Sequence, residues 1–262
     1  MEARNIRFAT GSEVPRHWHG GKISVTSFFN NMSLFFPAGE RFFVAAVNHH
    51  RDPIENDVLR GQVATFCAQE GFHSREHVRY NRMLDAQDYP GTALESRIER
   101  ILRWITKHAL WRLQLAATCA LEHMTATLAH VLLGDPEILE GAHPVMAELW
   151  SWHAAEENEH KAVAFDVYAE IGGGYFMRVR AMIYATVIFW ALVFDHQVRL
   201  MRRDGVLWSP REWWSLFRFN FIRPGALRKM TPIYFQYFKR SFHPWDLDNR
   251  DLLAKWKQQH AA

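Results

Sequence analysis

Apolar residues recur along most of the chain at spacings of three and four. Clean apolar and polar alternation, the mark of a half-buried strand, is confined to brief stretches such as Lys22 to Thr26. The pattern predicts an all-helical chain. A first helix is expected from Ser33 or Pro37 to His49, because Pro37 suits a first helical turn and Gly39 weakens one. A second runs from about Asp52, as N-cap with Pro53 at the first position, to Asp85, where the turn Asp85-Ala86-Gln87-Asp88-Tyr89-Pro90-Gly91 stops it. A third spans Ala93 to Leu133 and ends at Gly134 with Asp135-Pro136 behind it; a fourth spans Pro144 to the run Gly172-Gly173-Gly174. Four helices are thus expected before residue 172. Apart from the glycine run there is no low-complexity tract, and no repeat of solenoid period.

With 262 residues, 48% hydrophobic and 14% aromatic, the chain has enough apolar material for one large domain or a core domain with an appendage, which excludes disorder for most of it. The two cysteines, Cys67 and Cys119, lie in different predicted helices without a C-x-x-C, so neither a disulfide scaffold nor a cysteine zinc site is available. That usage fits a reducing cytoplasm, and the first twenty residues carry no apolar stretch of signal-peptide length, so cytoplasmic localisation is expected. The net charge of +3 conceals a division. Residues 175–262 carry 15 Lys and Arg against 6 Asp and Glu, a balance of +9, which leaves −6 for residues 1–174. Six of the eleven tryptophans also lie in the basic part. Two segments are expected: an N-terminal segment with a four-helix bundle over 1–174, and a helical C-terminal extension over 175–262 packed on it.

Candidate chemistry lies in the first segment. Glu70-Gly71-Phe72-His73 on the second predicted helix and Glu157-Asn158-Glu159-His160 on the fourth are both E-x-x-H, a spacing that puts both side chains on one helix face. With 17 Glu and 15 His, chance alone supplies about one such pair. Glu140-Gly141-Ala142-His143 is a third instance, set aside because it falls in a predicted loop before Pro144. The two helices that remain each offer one acid in an apolar setting: Glu40 among Phe35, Phe36, Phe42 and Phe43, and Glu122 after Ala116-Ala117-Thr118-Cys119-Ala120-Leu121. An ionised carboxylate there is costly unless a cation or hydrogen bonds compensate it. The order Glu, E-x-x-H, Glu, E-x-x-H is the ligand set of ferritin-like di-iron carboxylate bundles. The expected fold is therefore all-α, a ferritin-like four-helix bundle with a dinuclear metal site and an additional helical, aromatic and basic C-terminal segment.

Phe36-Pro37-Ala38-Gly39-Glu40-Arg41-Phe42-Phe43, the stretch from Gln69-Glu70 to His77, the stretch from Glu156 to Ala162 and the later His243-Pro244-Trp245-Asp246 together resemble the bacterial family of predicted metal-dependent hydrolases over most of the chain. His153-x-x-x-Glu157-x-x-His160 is similar, in the ligand constellation alone, to the di-iron arylamine N-oxygenases, a resemblance that implies a third histidine, His153, at the metals.

The candidate metal ligands are Glu40, Glu70, His73, Glu122, His153, Glu157 and His160. Each has a blander alternative: solvated helix-face residues for the two E-x-x-H pairs, an ion pair or a hydrogen-bonded buried acid for Glu40 and Glu122, and a donor that orients a ligand for His153. His77, four residues after His73, is expected as a ligand, a side chain supporting one, or a solvated histidine. Cys67 and Cys119 are expected as small core residues. Carboxylates with three or fewer histidines and no thiolate suit two ions of iron, or of manganese, better than zinc or copper. The favoured function is dioxygen activation to oxidise or oxygenate a small apolar substrate, with an unidentified electron donor. The alternatives are hydrolysis by a bridging hydroxide, and a non-catalytic metal-stabilised interaction protein.

The last third carries Ala181 to Phe194, fourteen residues without a charge, too short a run to span a bilayer. It is expected as a core helix. From Arg211 to Arg223, tryptophan, phenylalanine and arginine interleave, a composition suited to peripheral membrane contact at the inner face of the membrane. No nucleic-acid-binding module accompanies these residues, and no nucleic-acid partner is expected.

Overall fold

The computed structural model describes residues 1–260. It is all-helical among the described residues: α1 Ile23–His49, α2 Asp57–Ala86, α3 Gly91–His108, α4 Trp111–Gly134, α5 Pro144–His160, α6 Val163–Glu170, α7 Tyr175–Arg203, α8 Pro210–Phe217, α9 Ala226–Gln236 and α10 Arg250–Gln259. Helices α1, α2, α4 and α5 form the four-helix bundle. α3 lies against α1 and α2, α7 runs along α4 and α1, α8 packs on α1, α9 on α4, and α10 on α4 and α5. The residues before α1 strap across the bundle, burying Phe8 against Trp152 with ring centroids 5.2 Å apart.

Six helices, not four, precede residue 172, and the differences have local causes. α1 begins at Ile23 rather than Ser33 or Pro37, so Pro37 lies inside it. A proline there removes the N–H that would bond the carbonyl of Ser33. Asn81 Nδ2 of α2 donates to that carbonyl instead, at 3.3 Å, and the helix continues. Its first turns were not recognisable as core because Ser24, Thr26, Ser27, Asn30, Asn31 and Ser33 are buried beside Val25, Phe28 and Phe29. α2 is capped by Asn56, whose Oδ1 accepts from the N–H groups of Val58 at 2.9 Å and Leu59 at 3.2 Å, and not by Asp52.

The expected third helix is two helices, broken where Ala109 and Leu110 are extended. Gln114 stabilises the break by donating from Nε2 to the carbonyls of Thr106, at 3.2 Å, and Ala109, at 2.9 Å, which absorbs acceptors freed at the end of α3. The expected fourth is α5 and α6, interrupted at Lys161 and Ala162, where Lys161 Nζ turns away to Asn249 Oδ1 at 2.9 Å. Glu140 and His143 lie in the loop before α5.

The uncharged run 181–194, expected to be too short to span a bilayer, is the middle of a 29-residue helix, α7, which is long and apolar enough to do so by length and composition. The run is not the core helix expected, because only one side of α7 is buried: Arg178, His196 and Gln197 lie there among Ala181, Met182, Val193, Leu200 and Met201, and Gln197 Nε2 donates to the carbonyl of Ser24 at 3.0 Å. The other side is exposed.

Among the buried polar groups of α1, Asn30 joins three elements: its Oδ1 accepts from Trp18 Nε1 at 2.9 Å and Tyr80 OH at 2.7 Å, whereas its Nδ2 and the hydroxyls of Ser24 and Ser27 have no partner. Asn30→Ala strands two buried donors and is expected to cost about 2–4 kcal/mol, whereas Tyr80→Phe removes one donor with its bond and costs about 1 kcal/mol. Chemical denaturation of the two variants measures the difference.

Candidate metal centre

The inward faces of four helices bring the acids and imidazoles together. α1 supplies Glu40, α2 supplies Glu70 and His73, α4 supplies Glu122, and α5 supplies His153, Glu157 and His160; all seven are buried, none more than 3% exposed. Three overlapping groups have ligand atoms within 4.8 Å of one another: Glu40, His73 and His153; Glu70, His73 and Glu157; and Glu70, Glu122 and His160. His160 Nε2 lies 3.5 Å from Glu70, 3.6 Å from Glu122 and 3.6 Å from Glu157. His73 Nδ1 lies 3.7 Å from Glu70 and 3.8 Å from Glu157. Glu70 and Glu157, common to both sets of distances, occupy the middle.

The hydrogen bonds on the outer side of each imidazole assign its tautomer. Gln69 Nε2 donates to the carbonyl of Glu2 at 3.0 Å and to Glu159 at 3.1 Å, so its Oε1 is free to accept from His160 Nδ1–H at 3.0 Å. His73 Nε2–H donates to Glu156 at 3.0 Å. Ser33 Oγ donates to Asn81 Oδ1 at 2.8 Å and so accepts from His77 Nδ1–H at 2.9 Å. His77 Nε2 in turn accepts from His153 Nδ1–H at 2.9 Å. For His73 and His160 the proton is held outside and the lone pair faces inward, toward carboxylates; His153 Nε2 also faces inward, 3.1 Å from Glu157 Oε1, a separation that needs a proton or a cation between the two. His77 thus sits outside the three groups and orients His153. Cys119 packs in the core with Sγ 3.2 Å from the carbonyl of Ala164; Cys67 is half-buried, and neither joins the groups.

Electron pairs facing electron pairs in a buried interior require protons or cations among them. Both oxygens of Glu40, Glu70 and Glu122, Oε2 of Glu157, Nδ1 of His73 and Nε2 of His160 have no hydrogen-bond partner, although each is buried. Burial pushes the carboxyls of Glu40 and Glu70 well up, neighbouring carboxylates adding to it, and raises Glu122 to about 8 against the pull of His160. Glu157 goes the other way: burial would raise it, but His160 and His153 beside it hold it well below the usual carboxylate range. Burial and the facing His153 lower His73 and His77, while His160 is raised because Glu157 and Glu122 outweigh its burial. An oxygen and nitrogen donor set of this kind fits divalent cations.

A second ring of residues, invisible to motif reading, holds the first. Arg4 binds Glu156 from its backbone N–H at 2.9 Å and from its guanidinium at 3.2 Å, and grips Glu159 at 2.8 Å; Lys257 reaches Glu159 at 2.7 Å. Glu156 and Glu159 flank Glu157 and His160 in the sequence, which is the only local hint of their role.

An apolar cavity of about 500 Å³ meets the centre at Glu40, His153 and Glu157 and passes between α1, α3, α4 and α7. Its remaining lining is apolar apart from His108, Thr125, the Tyr184 hydroxyl and the indoles of Trp104 and Trp150.

A family model described as predicted metal-dependent hydrolase matches residues 2–248, nearly the whole chain. No curated protein and no solved structure matches.

The raised carboxyls predict a pH dependence for the metal-free protein. Unfolded, Glu122 releases its proton near the ordinary value of 4.5; folded, it keeps it to about 8. The folded state therefore binds more protons between those values, and stability falls as pH rises through them. Glu122→Gln is expected to flatten that fall, as read by thermal unfolding in chelator from pH 5 to 8; an unchanged slope would contradict the assignment.

Proposed function

The chain belongs to the family of predicted metal-dependent hydrolases, and from that premise we propose that its four-helix centre holds two cations and uses them to hydrolyse an apolar substrate delivered by the cavity. The observation that carries the reading is the set of inward lone pairs: three imidazoles whose N–H groups are all bonded outward, facing four acids of which three have no hydrogen-bond partner. One cation is proposed against Glu40, His73 and His153, the other against Glu122 and His160, with Glu70 and Glu157 between them. Bound cations supply Lewis-acid activation of water or of dioxygen and neutralise the acids.

The chain's own residues do the rest. Gln69, Glu156 and His77 fix the imidazole planes so that no ring has to turn when a cation arrives. The apolar walls exclude water and orient the substrate's apolar part away from the acids. Glu40 meets the cavity with both oxygens unpaired, so of the acids proposed to hold the cations it is the one that would face the reacting group from the cavity side.

Oxidation of the same apolar substrate with dioxygen is a second reading, favoured by one observation. Beyond Glu40, His153 and Glu157 the cavity holds no charged side chain and few neutral donors, those of His108, Thr125 and Tyr184 and the indoles of Trp104 and Trp150, a sparse set to hold the oxyanion of an acyl transfer. Iron or manganese suits a thiolate-free, carboxylate-rich set under either reading.

Protein stripped of metal and reloaded with iron(II), manganese(II) or zinc(II) tests both readings against medium-chain nitrophenyl esters and in an oxygen electrode. Metal-dependent ester cleavage that disappears in Glu157→Ala is the expected result. Dioxygen uptake by the ferrous protein without cleavage favours oxidation, and failure to retain metal overturns both. Glu156→Ala, which frees His73 Nε2, is expected to weaken metal affinity about 10- to 100-fold in competition with a chelator.

A further inference from the structure

We propose that the face on which the cavity opens seats on an anionic lipid surface, so that the substrate is a lipid-soluble molecule drawn from the bilayer. The substrate clause rests on the cavity being the substrate route; the docking surface does not. Along α7, Phe176, Ile183, Val187 and Phe194 are 66%, 48%, 64% and 63% exposed, at spacings that put them on one stripe. No charge interrupts that stripe between Arg180 and Asp195. The cavity mouth is continuous with it, because Trp104 of α3 and Tyr184 and Ile188 of α7 both line the cavity and stand exposed. Beyond Phe194, whose ring lies 6.2 Å from that of Trp213, the apolar surface extends onto α8 through Trp214 and Phe217. Contiguous exposed apolar area of this extent marks an interaction site.

Charge identifies the occupant. Arg100 and Lys107 flank Trp104 on α3, Arg180 and Arg202 stand toward the two ends of α7, and Arg211 and Arg218 border α8. All six are exposed, and none has an ion pair among the described residues. The acids nearby are engaged: Glu99 pairs with Arg103 at 3.5 Å, and Asp195 with Arg97 and Arg199. A second copy docking by two-fold symmetry would set this basic rim against itself. An anionic bilayer instead complements the rim while its interfacial zone takes up the tryptophans and the apolar stripe. α7 lies on such a surface rather than crossing it, since Arg178, His196 and Gln197 are buried on its other side against the bundle.

The test is co-sedimentation of the full chain with phosphatidylcholine vesicles, with and without phosphatidylglycerol. Retention by the anionic vesicles, falling as salt rises, is expected. V187E/F194E and, separately, R100E/K107E are each expected to lower it roughly tenfold or more while metal content and thermal unfolding stay at the parent's values. Parent protein that stays in the supernatant, or variants that bind as the parent does, overturn the proposal. So does a concentration-dependent dimer that V187E/F194E abolishes, which gives the face to a second copy. Vesicle retention is read without turnover, so its failure leaves the metal reading standing, and loss of metal binding leaves the vesicle result standing.

Discussion

Four acids and three imidazoles share a buried space at the middle of this bundle, and their mutual repulsion is the constraint the rest of the architecture answers. Removing an ionised carboxylate from water costs several kcal/mol even after a protein relaxes around it. Four at these distances would push the helices apart unless the charge were neutralised. Protons can do this in part, as the raised carboxyls of Glu40, Glu70 and Glu122 indicate, with His160 raised to match. Divalent cations do it with less, since each accepts several lone pairs at once. The bundle resists the repulsion from outside, where Arg4 and Lys257 clamp Glu156 and Glu159 on α5, and Phe8 and Trp152 seal the strap over the same helix.

The centre lies between two unlike walls. On one side stands the network of Arg4, Glu156, Glu159 and Gln69, built of charges and amides; on the other is the apolar cavity, which meets the centre only through Glu40, His153 and Glu157. Such a division gives the centre a direction. Groups on the charged side have partners that fix them, whereas Glu40, Glu70 and Glu122 have none, and of these three acids Glu40 is the one that lines the cavity, where an arriving ligand would meet it first.

Sequence reasoning reached the inner residues because their constraint is local. An E-x-x-H pair is written in four consecutive positions, and the isolation of Glu40 and Glu122 among apolar neighbours is visible within a turn or two. The outer residues escaped it for the opposite reason: Arg4 lies 152 positions from Glu156, and Gln69 lies 91 from His160. The helix breaks escaped it as well. Helical propensity runs through Ala109 and Lys161 without a glycine or proline, and tertiary partners, Gln114 in one case and Asn249 in the other, decide where the axis turns. The start of α1 was hidden because six of the eleven residues buried from Ser24 to Leu34 are polar, so no apolar stripe announced it.

Pro37 ties these levels together. It stands three residues before Glu40 and takes a backbone donor out of the helix that carries the ligand. The repair comes from α2, where Asn81 gives Nδ2 to the carbonyl of Ser33 and to Glu95 while its Oδ1 accepts from Ser33 Oγ. The same Ser33 Oγ accepts from His77, and His77 from His153. One asparagine therefore mends the proline, pins α1 to α2 in the register that sets Glu40 near His73, and begins the chain that turns the lone pair of His153 inward. A proline that would ordinarily weaken a helix here forces its neighbours into a fixed arrangement, which a site made of lone pairs needs more than it needs a regular backbone.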